Sequence, residues 1–129
     1  MISSLWENKI EWQLKFASEA ISRKDKRDLA YRTSIIGENA INILRLAMDG
    51  KAESTFFMII LSIKKCVALG ILSKDYNSVL SESYEYYKGD TYINASSDSF
   101  SFDRMEFLYC EIFNLVKEVE CYLKKEGKM

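Results

Sequence analysis

The chain has 129 residues and a net charge of −1, with 48% apolar and 29% charged residues. That balance suits one globular domain spanning residues 1–129, able to bury roughly two thirds of its unfolded surface without metal or disulfide, and it excludes a disordered chain. So small a net charge sets up no global field for nucleic acid or for an anionic membrane, so any such contact must come from a local patch.

Proline is absent, which favours long helices over a loop-rich or all-β chain. The first helix is predicted over 4–22, with Ser4 and Glu7 as a capping box. Trp6, Ile10, Leu14, Ala17 and Ile21 repeat at helical spacing as one stripe, and Leu5, Trp12 and Phe16 form a second beside it. Glu7, Glu11, Lys15 and Ser18 take the wet side. The apolar face is wider than one neighbouring helix covers. Leu5, Trp12 and Phe16 are therefore candidates for a self-association face, because aromatic residues are favoured in interface cores. Packing against another helix of the same chain is the competing reading.

The first connection is SRKDKRD, 22–28. Arg23, Lys24, Lys26 and Arg27, with Arg32 beyond them, form a basic cluster that suits phosphate contact. Asp25 and Asp28 interleave it, as they would in an ordinary solvated turn. The second helix runs to about Met48. Ile36, Ala40, Ile43 and Ala47 make its main stripe, other apolar residues spread around it, and Glu38, Asn42 and Arg45 leave a narrow polar strip. That pattern is expected of a central helix, ended at Asp49-Gly50 by a left-handed glycine.

The third helix is predicted over 52–71. Its apolar run FFMIILSIKKCVALGIL is broken by Lys64 and Lys65, and is too short and too charged to span a bilayer. Ser73 is placed as the cap of a short fourth helix, 74–87. Tyr84 and Tyr87 then share one side of its last turn, and Gly89-Asp90 permits a turn into the polar run ASSDSFSF, 95–102. Tyr84, Tyr87 and Lys88 are candidates for stacking a base or nucleotide, against a purely structural connection through Tyr92. The fifth helix is predicted over 101–125, with Met105, Leu108, Ile112, Val116, Val119 and Leu123 as its stripe. The fold expected is all-α: a five-helix up-and-down antiparallel bundle with short connections.

The segment IIGENAINILRLAMDG (35–50), with Glu38 and Ala40 in its middle and Gly50 at its turn, resembles the second helix of HEPN-like proteins, above all the small archaeal PaREP1-type proteins. YEYYKGDTY (84–92) followed by a long amphipathic helix is similar to the late region of that family. The resemblance is one of layout and covers most of the chain. It implies a HEPN-like bundle with a dimer habit, and a nucleotidyltransferase-type protein as a possible class of partner. The family's ribonucleases carry an arginine and, four to six residues on, a histidine near the late loop. Here 84–92 has neither.

The chain contains no histidine, which removes Ser-His-Asp and Cys-His catalysis. No CxxC pair, zinc-ligand spacing, phosphate-loop or dinucleotide motif is present, so no catalytic residue, metal or cofactor is expected. The acidic pairs Glu7/Glu11 and Glu82/Glu85 are read as solvated surface. Cys110 and Cys121 share a helix face but lie about 16 Å apart along it, too far for a disulfide. All three cysteines, Cys66 included, are expected to be reduced packing residues. The N-terminal MISSLWENKIEW has no secretion-signal pattern, and a cytoplasmic protein without a membrane partner is expected. The function expected is a non-catalytic HEPN-like interaction module that forms a homodimer. RNA or nucleotide binding is the alternative.

Overall fold

The computed structural model describes residues 1–51, 55–91 and 100–129. Five helices carry the fold and no strand occurs among the described residues. Helix α1 spans residues 2–22, as Ile2–Trp6, a π-helical stretch Glu7–Glu11, and Trp12–Ser22. Then follow α2 (Lys26–Asp49), α3 (Phe56–Ala68), α4 (Asn77–Thr91) and α5 (Phe102–Lys125).

Local chemistry sets most of these ends. The Asp25 carboxylate caps α2 by accepting from Asp28 N–H, Thr55 caps α3 at Met58 N–H, and Ser101 caps α5 at Arg104 N–H. Gly50, at φ 71°, takes the left-handed position that ends α2. Other expected boundaries are corrected. Helix α1 starts from Met1, so Ser4 lies within the helix and forms no cap. Ser73 caps nothing: its N–H donates to Glu118 at 2.8 Å, and α4 starts at Asn77. The α4 backbone continues through Gly89 and Asp90 to Thr91, so the expected turn there is helical. Tyr92, the run 95–99 and the expected start of α3 at 52 lie outside the described residues.

Helix α2 is the centre of the bundle, as its spread apolar pattern requires. Leu29, Ala30, Ile36, Ala40, Ile41 and Leu44 are wholly buried. It packs against α1, α4 and α5, with α3 near its C-terminal end, where Lys65 Nζ stands 4.0 Å from Asp49. Gly37 sets the approach of α4 and α5. A Cβ there would meet Leu80 Cδ1 at 2.5 Å and Ile112 Cδ1 at 3.5 Å. The polar strip is narrower than expected, because Arg45 is buried.

Pairs along the helices fix their directions. Gln13 meets Arg32 and Lys9 meets Asn39, so α1 runs against α2. Tyr87 meets Tyr31 and Leu80 meets Gly37, so α4 also runs against α2, while α5 runs with it. The 22–26 turn, the last turns of α4 and the start of α5 therefore gather at one end, called here the turn end.

Candidate functional site

The turn end starts from a tight reversal between α1 and α2. Asp25 N–H donates to Ala20 O at 2.9 Å, and Lys24 sits in the left-handed region at φ 53°. Over residues 23–32 the chain places five cations against two carboxylates, a positive pole in a protein of net charge −1. Arg23 is exposed and pairs with Asp25 at 3.3 Å and Asp28 at 3.1 Å. Lys24 and Arg27 are exposed. Lys26 is half-buried. Its ammonium donates to the Phe100 carbonyl at 2.7 Å and lies 4.9 Å from that ring's centre, joining the basic turn to the start of α5.

Helix packing brings the tyrosines of α4 to the same end. The Tyr87 ring lies 5.0 Å from Tyr31 of α2, and Tyr84 lies edge-on to Tyr87 at 6.4 Å. Lys88 Nζ stands 5.9 Å from the Tyr84 ring. The Arg32 guanidinium stands 4.7 Å from the Phe16 ring and 5.0 Å from the Tyr31 ring, while Asp28 and Gln13 accept its hydrogen bonds. Tyr31, Tyr84 and Tyr87 are all half-buried, with part of each side chain open to solvent.

Behind these rings is a fixed polar frame. Arg104 of α5 grips Glu82 of α4 through two hydrogen bonds, each 2.7 Å, and the Tyr86 hydroxyl donates to the same carboxylate at 2.7 Å. The Arg104 hydrogen bonds pull the Glu82 carboxyl below its usual range against the opposing effect of burial, and the bond to Glu82 pushes the Tyr86 phenol up. Tyr86 stacks on Phe100 at 4.3 Å with planes 6° apart. Glu82 is thus a structural anchor rather than the solvated carboxylate expected, whereas Glu7, Glu11 and Glu85 are exposed.

The two candidate clusters, Arg23/Lys24/Lys26/Arg27 and Tyr84/Tyr87/Lys88, therefore belong to one end of the molecule. The third candidate set is elsewhere. On the outer side of α1, Trp12 is 46% exposed, with Lys15 Nζ 5.2 Å from its ring. Glu7, Glu11, Trp12 and Lys15 line a shallow depression of about 230 Å³ there. Leu5 packs against the core, and Phe16 sits under Arg32. Of the second stripe, Trp12 is the residue left open.

Sequence reasoning missed Tyr31, Tyr86, Phe100 and Arg104. Tyr31 had a usable signal, since it directly precedes Arg32 on the helix that the basic turn starts. Also missed was a contact between the loop after α3 and α5. The buried Tyr76 hydroxyl donates to Glu118, which also accepts from Ser73 N–H. Burial, then the bond to Glu118, pushes the Tyr76 phenol well above its ordinary range. Beside it Leu69, Gly70, Ile71, Cys121, Tyr122 and Lys125 border a groove of about 420 Å³. Cys66 is buried as expected, and burial raises its thiol pKa, but Cys110 and Cys121 are exposed rather than packed. All three thiols are free.

Chemically, the turn end offers half-exposed rings, held by cations that a carboxylate or carbonyl already orients, beside exposed lysine and arginine. Such a surface can stack a base and meet a phosphate. Among the described residues, no group of three cysteine, aspartate or glutamate side chains stands close enough to hold a metal ion. No protein-family model, curated protein or solved structure matches this chain.

Proposed function

We propose that the chain is a non-catalytic helical binding module whose turn end takes single-stranded RNA or a nucleotide. One observation carries this reading: Tyr31, Tyr84 and Tyr87 come from two helices to form a ring cluster beside the positive pole at 23–32. Stacking on the open part of these half-buried rings tolerates any base, and a net positive turn supplies the phosphate attraction. Arg23, Lys26, Arg32 and Arg104 have protein partners and act chiefly as positioning groups. Lys24, Arg27 and Lys88 are exposed at the same end and are the cations proposed to meet a backbone, whatever contacts they make within the chain. The test is a titration of a fluorescent single-stranded RNA at two salt concentrations. Affinity falls with salt, and Lys24→Glu with Arg27→Glu weakens binding and flattens the salt slope by about two ions. Absence of binding at low salt rejects the reading.

A second reading keeps its own support. The 46% exposure of Trp12 on the outer side of α1 favours self-association of the module through that face. A two-fold pairing would bring Trp12 of both copies together. The HEPN-like kinship suggested by residues 35–50 also points to a dimer, and to a nucleotidyltransferase-type protein as the class of partner. Sedimentation of the native chain and of Trp12→Glu checks this reading. A monomer at high concentration that the substitution leaves unchanged removes it.

A further inference from the structure

Cys110 and Cys121 stand exposed on α5, while the third thiol, Cys66, is buried. They belong to one line. Phe107, Cys110, Asn114, Lys117, Cys121 and Lys124 are all exposed and follow one another at alternating steps of three and four residues. The other side of the helix is the one that folds it: Leu108, Ile112, Leu115 and Val119 are buried in the bundle. Steps that average three and a half residues keep a seam straight along a second helix. Within one chain the two thiols lie about 16 Å apart and do not meet. Between two chains they can. Two copies of the line laid antiparallel about a two-fold axis set Cys110 of each copy opposite Cys121 of the other. The same register sets Asn114 opposite Lys117 and Phe107 opposite Lys124. Helix axes 8–10 Å apart bring facing Cα atoms within roughly 4–6 Å, a range that a disulfide spans.

Other features of the face suit that register. Phe107 is 49% exposed, and the Arg104 guanidinium lies 5.0 Å from its ring. In the second copy, Lys124 and the groove of about 420 Å³ bordered by Leu69, Cys121 and Lys125 lie where Phe107 arrives. Leu69 there is 57% exposed. The two ends of α5 are complementary in charge. Residues 101–107 carry Asp103, Glu106 and Arg104, and Glu82 already holds the arginine. Residues 121–129 carry three lysines and one glutamate. Antiparallel pairing lays the acidic start of one α5 beside the basic close of the other. Lys117 and Lys124 each stand 3.9 Å from Glu120 yet remain exposed. Glu111 and Glu118, which flank the line, already hold Lys74 and Tyr76.

We propose that the outer line of α5 docks antiparallel on the same line of a second copy, and that hydrogen peroxide locks the pair through two Cys110–Cys121 disulfides. The line is short and polar at its middle, so reduced copies pair only transiently. For each disulfide, the sulfur of one thiol attacks a peroxide oxygen. The O–O bond breaks, leaving a sulfenic acid and one water. The facing thiol sulfur then attacks the sulfenic sulfur, forming the S–S bond and releasing a second water. Two thiols thus give two electrons and two protons to one peroxide. The face is separate from Trp12 on α1.

Non-reducing electrophoresis with peptide mass spectrometry tests the proposal on the full chain. Hydrogen peroxide is expected to give a covalent dimer whose cross-linked peptides join Cys110 to Cys121. Cys110→Ser alone and Cys121→Ser alone are expected to give none, because in this register like thiols lie about 16 Å apart. An equal mixture of the two variants restores the cross-link. Phe107→Glu slows cross-linking roughly tenfold, and Trp12→Glu leaves it unchanged. All four side chains are exposed, so each variant is expected to keep the native circular dichroism spectrum. No dimer from the native chain, a dimer from either serine variant alone, a mixture that stays uncross-linked, or cross-linking that depends on Trp12 instead of Phe107 each overturns the proposal.

Discussion

Tyr31 on the central helix and Tyr87 on α4 hold their rings 5.0 Å apart at the turn end of the bundle. The contact depends on α4 running against α2 at close range, and the close range depends on Gly37.

A Cβ at position 37 would lie 2.5 Å from Leu80 Cδ1, inside the fully packed contact of α2 with α4. Alanine gains about 1 kcal/mol of helix propensity, but overpacking of this kind costs about 1–3 kcal/mol. Gly37→Ala is expected to lower stability by about 1 kcal/mol in urea unfolding, and Gly37→Val by more. A stabilised alanine variant would mean that Leu80 moves aside freely.

Lys24 carries a left-handed backbone that L-residues with a Cβ adopt at a cost. Lys24→Gly relieves that cost and is expected to raise stability by up to about 1 kcal/mol. The same variant removes an exposed cation and, on the proposed reading of the turn end, is expected to weaken RNA binding. A rise in melting temperature together with a loss of affinity is therefore the expected pair of results.

Tyr76 and Glu118 join the loop after α3 to α5. Tyr76→Phe keeps the packing and removes the donor, leaving Glu118 with Ser73 N–H. A hydrogen bond to a charged group contributes about 1.5–3 kcal/mol, so chemical denaturation at neutral pH is expected to show a loss near the lower figure. Glu118→Gln is expected to cost a comparable amount, because Ser73 N–H and the Tyr76 hydroxyl donate to different carboxylate oxygens and an amide offers an oxygen to only one of them.

Glu38 lies half-buried on α2, and burial raises its carboxyl pKa. A folded-state pKa above the unfolded one means that the native chain holds the proton more tightly. The protein is therefore favoured below the unfolded pKa and loses that contribution as pH rises through the folded pKa. Glu38→Gln mimics the protonated form. Its melting temperature is expected to exceed that of the native chain at pH 7 and to match it at a pH below both pKa values. An equal gain at both pH values would contradict the burial account.

Much of the fold was legible in the residues. The spread of apolar positions around 29–48 marks a helix buried on most sides, and the 3–4 spacing of Met105 to Leu123 marks one with a single buried face. The ends were less legible, because capping depends on which side chain turns back. Asp25 and Ser101 do so, while Ser4 lies a turn inside its helix and Ser73 gives its N–H to a distant carboxylate. At the candidate site, the basic turn and Tyr84/Tyr87/Lys88 could each be named from local composition. That they share one end, and that Tyr31, Phe100 and Arg104 complete it, follows from helix directions that no local spacing encodes. Lys26 bonded to the Phe100 carbonyl is the extreme case, since a backbone acceptor leaves no trace in the residue type.

The most direct test of the turn end is a nuclear magnetic resonance titration of the ring-labelled chain with a short single-stranded RNA. Tyr31, Tyr84 and Tyr87 are expected to shift together with a single affinity, while Tyr109 and Tyr122 on α5 and Trp12 on α1 stay in place. Shifts at Trp12 without shifts at the three tyrosines, or no shifts at all, would contradict a binding site at this end.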